Sequence, residues 1–211
     1  MTPLIIAVDG PAAAGKGTLA RRLAGHFGLP YLDTGLLYRA VGRRVLDGGG
    51  DPRDAGVAEA AARGLRAEDL DRSDLRGPPA DDAASNVAAH PGVRRALVEF
   101  QRGFAAAHGA VLDGRDIGTV IFPDATAKLY VTASPEARAR RRWLEVRARD
   151  PRADLAEITA EMAARDARDA GRGAAPMKPA FDALELDTTE MDADTAFEVA
   201  IAMVAEKLAT P

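Results

Sequence analysis

A glycine-rich segment near the start of the chain, Gly10-Pro-Ala-Ala-Ala-Gly-Lys-Gly-Thr18, has the residue types and spacing of a phosphate-binding loop. Glycines let backbone N–H groups approach phosphate oxygens closely, and the N-terminus of the following helix adds a partial positive charge. Lys16 adds a full charge near the β- and γ-phosphates. The alternative is a glycine-rich turn that only joins a strand to a helix. The position of Lys16, where the helical pattern begins, favours phosphate binding.

The loop departs from the common form at one position that bears on metal binding. Gly17 follows the lysine, and the first hydroxyl comes one residue later, at Thr18. We therefore expect Thr18 to contact Mg²⁺ either directly or through a water molecule.

Five short apolar runs predict the strands that position this loop: residues 4–8, 31–32, 110–113, 127–132 and 183–188. Helical patterns alternate with these runs, so the sequence predicts an α/β fold with a doubly wound parallel sheet. Asp9, Asp33 and Asp113 each end a strand. Ligands of such sheets lie beyond the carboxyl ends of the strands, so we expect the three carboxylates to face one crevice.

Charged residues directly after the third strand are candidates for ligand binding. Asp113, Arg115 and Asp116 follow a buried strand, where charges are costly to desolvate unless they serve a ligand or one another. On local grounds, Asp33 or Thr34 caps the next helix, and Arg39 faces either solvent or an anion near the same helix start.

Two further groups of polar residues are open to more than one interpretation. Ser85 and Arg94 are, on local grounds, ordinary residues of helix surfaces. Arg165, Arg168 and Arg172 form one helical stripe. This stripe belongs either to a salt-bridged exposed helix or to a site that neutralises a transferring phosphoryl group.

Composition excludes several classes of protein. With 211 residues, 47% of them hydrophobic, the chain is long enough for one domain with a full core. The net charge of −4 gives no general attraction to nucleic acid or anionic membranes, and the lack of cysteine excludes disulfides and thiolate chemistry. The first apolar run ends at Asp9, so we expect no signal peptide and a cytoplasmic protein. Residues from Gly48 to about Pro79 are polar and weakly helical, which predicts a mobile insertion outside the core.

Together the motifs resemble one family, the bacterial cytidylate (CMP/dCMP) kinases of the nucleoside monophosphate kinase group. The phosphate loop is shared with many kinases, whereas the run Asp113-Gly-Arg-Asp-Ile-Gly-Thr119, combined with Leu32-Asp-Thr-Gly35, is much more selective. The resemblance covers nearly the whole chain. Its remaining segments are Tyr38-Arg39, Ala84-Ser85, Val93-Arg94, Phe122-Pro-Asp124 and Arg165-Asp-Ala-Arg-Asp169 with Arg172.

The resemblance implies a P-loop nucleoside monophosphate kinase fold with strand order 2-3-1-4-5, in a single kinase domain over residues 1–211. The core would comprise residues 1–33, 108–146 and 158–211. The monophosphate-binding subdomain would comprise about residues 34–107, and a lid about residues 147–157. Many members carry a longer, strand-rich insertion where this chain has only about residues 67–79, so we expect a smaller monophosphate-binding subdomain.

The resemblance also implies roles for individual residues. ATP would be bound by the loop residues Gly10, Pro11, Ala12, Ala13, Ala14, Gly15, Lys16, Gly17 and Thr18, and Thr18 would serve Mg²⁺. Thr34 and Arg39 would hold the CMP phosphate. The remaining CMP-binding residues would be Ser85, Arg94, Arg115, Asp116, Asp169 and Arg172. Lys16, Arg165 and Arg168 would act on the phosphoryl groups as catalytic residues.

The activity implied is ATP-dependent phosphorylation of CMP and dCMP with Mg²⁺, by a monomer that binds neither nucleic acid nor a membrane. Other small-molecule kinases with a phosphate loop, acting on AMP, UMP, shikimate or dephospho-coenzyme A, are the nearest alternatives. A GTPase needs an Asn-Lys-x-Asp guanine reader, and the chain's one asparagine, Asn86, precedes a valine. A nucleotide-binding module without catalysis is disfavoured by Lys16 and the arginine stripe.

Overall fold

The computed structural model describes residues 3–75, 77–171 and 175–209 of the chain. Its strands are β1 (Ile5–Asp9), β2 (Tyr31–Asp33), β3 (Ala110–Gly114), β4 (Ala127–Thr132) and β5 (Leu184–Asp187). Its helices are α1 (Lys16–Phe27), α2 (Thr34–Asp47), α3 (Ala55–Arg63), α4 (Pro78–Val87), α5 (Pro91–Ala105), α6 (Pro135–Arg147), α7 (Leu155–Ala170) and α8 (Ala193–Ala209). The chain divides into two compact units, one of Met1–Leu32 with His108–Pro211 and one of Asp33–Ala107.

The first unit contains the parallel sheet, whose order β2-β3-β1-β4-β5 confirms the predicted topology. β1 lies between β3 and β4, with Asp9 opposite Gly114 on one side and Tyr130 on the other. Because the strands run in the same direction, Asp9 and Asp113 end at one edge of the sheet.

The core of this unit explains why the short apolar runs become strands. Ile6 and Val8 of β1 are fully buried, together with Leu129 of β4. Leu23 of α1 and Val204 of α8 pack into the same cluster. Strands buried on both faces read as continuous apolar runs, which is the pattern seen in the sequence.

The second unit is a helical assembly in which two pairs of helices approach closely. A Cβ placed on Gly42 of α2 would lie 2.8 Å from the Cβ of Ala83 on α4. A Cβ on Gly92 of α5 would lie 1.7 Å from Oε2 of Glu59 on α3. Gly42 therefore lets the backbones of α2 and α4 come together, and Gly92 leaves room for the side chain of Glu59.

The prediction of an insertion outside the core between Gly48 and about Pro79 is wrong for part of that segment. Asp54 accepts hydrogen bonds from the backbone N–H groups of Gly56 and Val57 and so starts α3. Ala58 of α3 is fully buried, and Leu75 is 1% exposed. Ala58, Ala62 and Leu75 therefore belong to the core of the second unit, whereas most other residues of the segment are exposed or half-buried.

Ion pairs hold the region around residues 71–75 of the second unit against α2. Arg43 bridges Asp47 and Asp74 at 2.9 and 3.0 Å, and Arg72 bridges the same two carboxylates at 2.7 Å each. Two arginines and two aspartates therefore form a closed, alternating ring.

Helices α6 and α7 of the first unit pack through a small apolar cluster of Ala139, Ile158 and Met162. Trp143 packs against this cluster, and its Nε1 donates a hydrogen bond to the carbonyl oxygen of Ala153 at 3.0 Å. Within the described ranges, the helices are too short or too polar for any of them to span a bilayer.

Candidate active site

The loop between β1 and α1 has the backbone of a phosphate cradle. Gly10, Ala13 and Gly15 have φ values of 141°, 58° and 89°. A Cβ on Gly10 would lie 2.0 Å from the carbonyl oxygen of Val131, so only glycine fits there. Gly15 caps α1 without a side-chain hydrogen bond, which leaves the first N–H groups of the helix available to an anion.

Lys16 lies inside this cradle and is 6% exposed. Its Nζ donates a hydrogen bond to the carbonyl oxygen of Pro11 at 2.7 Å. The pKa of Lys16 is lowered to about 7, mainly by burial and then by the positive charges of Arg115 and Arg165. The nearby carboxylates of Asp113 and Asp9 act in the opposite direction. Three cationic side chains therefore converge where a polyphosphate would be stabilised.

Arg115 and Asp169 form a largely buried pair. The Nε of Arg115 donates to Oδ2 of Asp169 at 2.9 Å, and its Nη1 donates to the carbonyl oxygen of Gly114 at 3.1 Å. Asp169 is 2% exposed. Two predicted site residues that are far apart in sequence thus hold each other at the carboxyl end of β3.

Asp9 is held by the polypeptide backbone beyond β3. Its two carboxylate oxygens accept hydrogen bonds from the N–H groups of Ile117 and Gly118, each at 2.8 Å. The pKa of Asp9 is raised to about 6, mainly because burial disfavours the charged form and to a smaller extent because Asp116 lies nearby. The two backbone hydrogen bonds and Lys16 act in the opposite direction.

A cavity of about 270 Å³ lies beside the phosphate loop. Gly15, Thr18, Arg141 and Thr188 are among its lining residues. Arg141 donates to the hydroxyl and the carbonyl oxygen of Thr188 at 3.0 and 2.5 Å. The hydroxyl of Thr188 lies 3.1 Å from the carbonyl oxygen of Ala14, so this wall of the cavity is tied to the loop.

Arg138 connects the phosphate loop with α7. One guanidinium nitrogen, Nη1, lies 2.7 Å from Oδ2 of Asp166 and donates to the carbonyl oxygen of Ala12 at 3.3 Å. Arg138, Arg141 and Thr188 are site residues that the sequence interpretation did not single out. Thr188 directly follows β5, so the rule used for Asp9 and Asp113, that ligands lie at strand ends, indicates it as well.

The residues near the loop have the oxygen donors that a magnesium ion prefers. Thr18 is exposed on the first turn of α1. A Cβ on Gly17 would lie 3.4 Å from Oδ2 of Asp113, so this carboxylate is close to the helix start. No group of three or more histidines, cysteines or acids in residues 3–75, 77–171 and 175–209 is arranged so that it could hold a metal ion. Magnesium bound mainly through nucleotide phosphates and water fits such a sparse donor set.

The second unit brings together four predicted CMP-binding residues from three helices. Thr34 is 4% exposed, and the Nε of Arg39 donates to Oδ1 of Asp81 on α4 at 2.9 Å. Ser85 lies one turn further along α4. The guanidinium of Arg94 lies 5.9 Å from the ring centroid of Tyr38 on α2.

The local interpretation of Ser85 and Arg94 as surface residues is wrong, because they are only 8% and 7% exposed. The hydroxyl of Ser85 is buried and has no hydrogen-bond partner in the part of the chain that the structure describes. A buried hydroxyl in this state is expected where a ligand completes the bonding.

The three arginines of the predicted stripe have different surroundings. Arg165 is half-buried and close enough to Lys16 to lower its pKa. Arg168 is exposed on α7. Arg172 lies outside the described residues. The alternative of a purely solvated, salt-bridged helix does not fit Arg165, nor does it fit Asp166 and Asp169, which pair with Arg138 and Arg115.

Comparison with known proteins agrees with this arrangement. The family model for cytidylate kinase matches residues 6–206. A cytidylate kinase of Granulibacter bethesdensis is 64% identical over 204 residues, which are 97% of this chain and 98% of that protein. One of Acidiphilium cryptum is 59% identical, covering 98% of each chain. A solved structure from Thermus thermophilus, 24% identical, shares the fold with a TM-score of 0.50 over 99% of each chain. The chain therefore belongs to the cytidylate kinase family.

Proposed function

We propose that the protein transfers the γ-phosphoryl group of Mg·ATP to the phosphate of CMP or dCMP. The observation that carries the proposal is the phosphate cradle around buried Lys16, with Arg115 and Arg165 beside it, in a chain of the cytidylate kinase family. Such a concentration of positive charge beside a glycine-rich loop is suited to binding a polyphosphate.

The donor nucleotide occupies the loop from Gly10 to Thr18. Its phosphates accept hydrogen bonds from the loop N–H groups and from Lys16. The adenine ring fits the cavity lined by Arg141 and Thr188, which opens beside Gly15 and Thr18. This places the base and the phosphates on consecutive parts of one surface.

The acceptor is recognised through its phosphate, ribose and base. Thr34, Arg39 and Arg115 bind the phosphate and nearby sugar, and Asp169 addresses the ribose together with Arg165. Four residues read cytosine: Ser85, Arg94, Asp116 and Arg172. Cytosine offers an amine donor at N4 and acceptors at N3 and O2, which carboxylate, hydroxyl and guanidinium groups complement. Uracil reverses the pattern at two positions and leaves buried groups unpaired.

Catalysis then consists of positioning and charge neutralisation. Lys16 and Arg165 stabilise charge on the transferring phosphoryl group, and Arg168 joins them from the exposed face of α7. Thr18, with Asp113 nearby, would hold Mg²⁺, which would supply charge neutralisation at the donor phosphates. The acceptor is already an anionic phosphate, so the reaction needs no strong general base.

Residues of about 147–157, between α6 and α7, form a lid that excludes water from the phosphates. The cluster of Ala139, Ile158 and Met162 gives this lid a rigid base, and the exposed arginines at its tip supply positive charge. The second unit forms the monophosphate-binding subdomain. Each chain carries a full set of predicted residues, which favours a monomer acting on nucleotides of the cytoplasm.

The test is ADP formation from Mg·ATP with CMP, dCMP, UMP, AMP or no acceptor, measured in parallel. We expect rapid ADP formation with CMP and dCMP, little with UMP or AMP, and almost none without acceptor. Activity spread evenly over the acceptors would refute the cytosine assignment. Hydrolysis without any acceptor would refute the kinase mechanism.

Arg168→Ala tests the role of the arginine stripe. It is expected to lower kcat about a hundredfold or more while the KM for ATP changes little, because the interaction strengthens in the transition state. Equal losses in kcat and in ATP binding would contradict a role in the transition state.

A further inference from the structure

Asp9 occupies a position that the proposed reaction does not explain. It is the last residue of β1, immediately before the phosphate loop, and it is 5% exposed. A buried carboxylate is costly, and this one is satisfied by two backbone N–H groups more than a hundred residues away in sequence.

The backbone that Asp9 holds is an unusual one. Ile117–Ile121 forms a π-helical turn, with hydrogen bonds from Ile121 to Asp116 and from Phe122 to Ile117. Such turns are rare and occur often at functional sites. The turn starts directly after Arg115 and Asp116, which are predicted to bind CMP. Its first N–H groups have no partner inside the turn, so the Asp9 carboxylate completes them.

Gly118 lies close to two side chains of the sheet. A Cβ on Gly118 would lie 3.1 Å from the side chain of Lys128 and 3.5 Å from Oδ2 of Asp9. The turn is therefore packed directly on the side chains of β1 and β4.

Resting on the proposed function, we infer that Asp9 is a positioning residue whose carboxylate fixes the CMP-binding segment Arg115-Asp116 relative to the phosphate loop. β1 is held on both sides by β3 and β4, and Gly10 is locked against Val131, so the strand and the loop keep their shape without this carboxylate. The π-helical turn depends on the Asp9 carboxylate more than the strand and the loop do.

The protonation state of Asp9 controls these hydrogen bonds. A neutral carboxylic acid has an O–H where an acceptor is needed, so protonation removes one of the two bonds. Burial raises the pKa of Asp9 to about 6, so the change falls close to neutral pH. Charged and titratable groups face Asp9 or the turn from the neighbouring elements: Asp116, Lys16, Tyr130 and Lys128.

Kinetics of Asp9→Asn test the inference, with Asp54→Asn as the matched control. Asp54 also accepts two backbone N–H groups, at 2.8 and 3.0 Å, but it caps α3 in the second unit. Asp9→Asn places an amide N–H₂ against a backbone N–H. We expect the KM for CMP to rise about tenfold and the KM for ATP to change less than about twofold. Asp54→Asn should leave both unchanged.

A pH series separates positioning from general damage. The ratio of the KM values for CMP in the variant and in the wild type should fall towards one below about pH 6, where the wild-type carboxylate is protonated. The titration of the CMP phosphate is common to both proteins and cancels in this ratio.

An NMR titration of the ligand-free wild type needs no variant and no activity. The amide protons of Ile117 and Gly118 should shift together with a midpoint near pH 6. The inference would be overturned if the two amide protons did not titrate together. It would also be overturned if Asp9→Asn left the KM for CMP unchanged or raised the KM values for CMP and ATP equally. A wild type that does not phosphorylate CMP would instead refute the proposed function, and the amide titration would still decide whether Asp9 holds the turn.

Discussion

Two buried lysines of the first unit make the same local hydrogen bond but have neighbours of different charge. Lys16 and Lys128 are 6% and 5% exposed, and each Nζ donates to the carbonyl oxygen of a proline five residues earlier. Lys128 also lies 2.8 Å from a carboxylate oxygen of Asp182, which neutralises it within the fold. The charge of Lys16 is instead opposed by two nearby guanidinium groups. One lysine is satisfied by the protein, and the other is prepared for a ligand.

Replacing each lysine by methionine should therefore have different results. Lys16→Met should lower kcat by about 10²–10³, since one preformed electrostatic contact to the transition state is lost. Lys128→Met should lower the melting temperature while the folded protein keeps its kcat within about threefold, because an ion pair is broken and Asp182 is left alone. Steady-state kinetics measure kcat, and calorimetry measures the melting temperature, for each variant. A comparable loss of kcat in the two variants would contradict the distinction.

Nucleotide binding should also change the protonation of Lys16. Its pKa is near 7 without a ligand, and a bound polyphosphate raises it, so the lysine takes up a proton above about pH 7. Calorimetry of Mg·ATP binding at about pH 8, in two buffers of different ionisation enthalpy, should show this uptake. At about pH 5.5 the lysine is already charged, so uptake by Lys16 should disappear. Equal uptake at both pH values would contradict the lowered pKa.

At the scale of elements, the close contact of α2 with α4 decides how the acceptor side is built. The Arg39–Asp81 ion pair joins these helices, and Ser85 lies one turn from Asp81. Gly42 lets the two helices approach, and a Cβ there would lie 2.8 Å from the Cβ of Ala83 and 2.9 Å from its carbonyl carbon. The backbone atom cannot move away without shifting α4.

Gly42→Ala should therefore lower the melting temperature and raise the KM for CMP, with a cost of about 1–3 kcal/mol for overpacking. Gly103 on α5 gives a matched control, because a Cβ there meets nothing within 4 Å. Gly103→Ala should be neutral or stabilise the protein by up to about 1 kcal/mol. Thermal unfolding of both variants checks the pair, and a stable Gly42→Ala would contradict the close packing.

The elements that could be predicted from sequence are those whose signal is local. All five strands were predicted because each is a short apolar run, and the sheet order followed from the family resemblance. Helix α3 was missed because an alanine-rich stretch has a weak apolar pattern. The burial of Ser85 and Arg94 depends on packing between helices. The bonds from Asp9 to the π-helical turn join residues more than a hundred positions apart, which no local pattern indicates.

For the molecule as a whole, the buried carboxylate of Asp9 lowers stability at neutral pH. Its pKa rises from 3.8 to about 6 on folding, so the folded state favours the protonated acid. The stabilisation that comes from the protonated acid is fully present below about pH 4 and is lost as the pH rises through about 6. Over that range the free energy of unfolding falls by about 3 kcal/mol in total. The fold keeps an ionised group where a neutral one would be more stable, as is typical of residues retained for function.

Asp9→Asn removes this titration and should change the pH dependence of unfolding. The free energy of unfolding of the variant, minus that of the wild type, should increase between about pH 4 and pH 7 by up to about 3 kcal/mol. Denaturant unfolding at several pH values measures the difference. A difference that stays constant with pH would contradict the raised pKa.

Trp143 is the one tryptophan of the chain, and it lies on α6 with its indole nitrogen bonded to Ala153 and Arg147 at 4.6 Å from its ring centroid. Its fluorescence therefore reports on a single place, the junction of α6 and α7. The intensity and wavelength of its emission depend on the indole hydrogen bond and on the nearby guanidinium. The unlabelled protein thus carries its own optical reporter, and stopped-flow mixing with nucleotide can follow the proposed lid in real time.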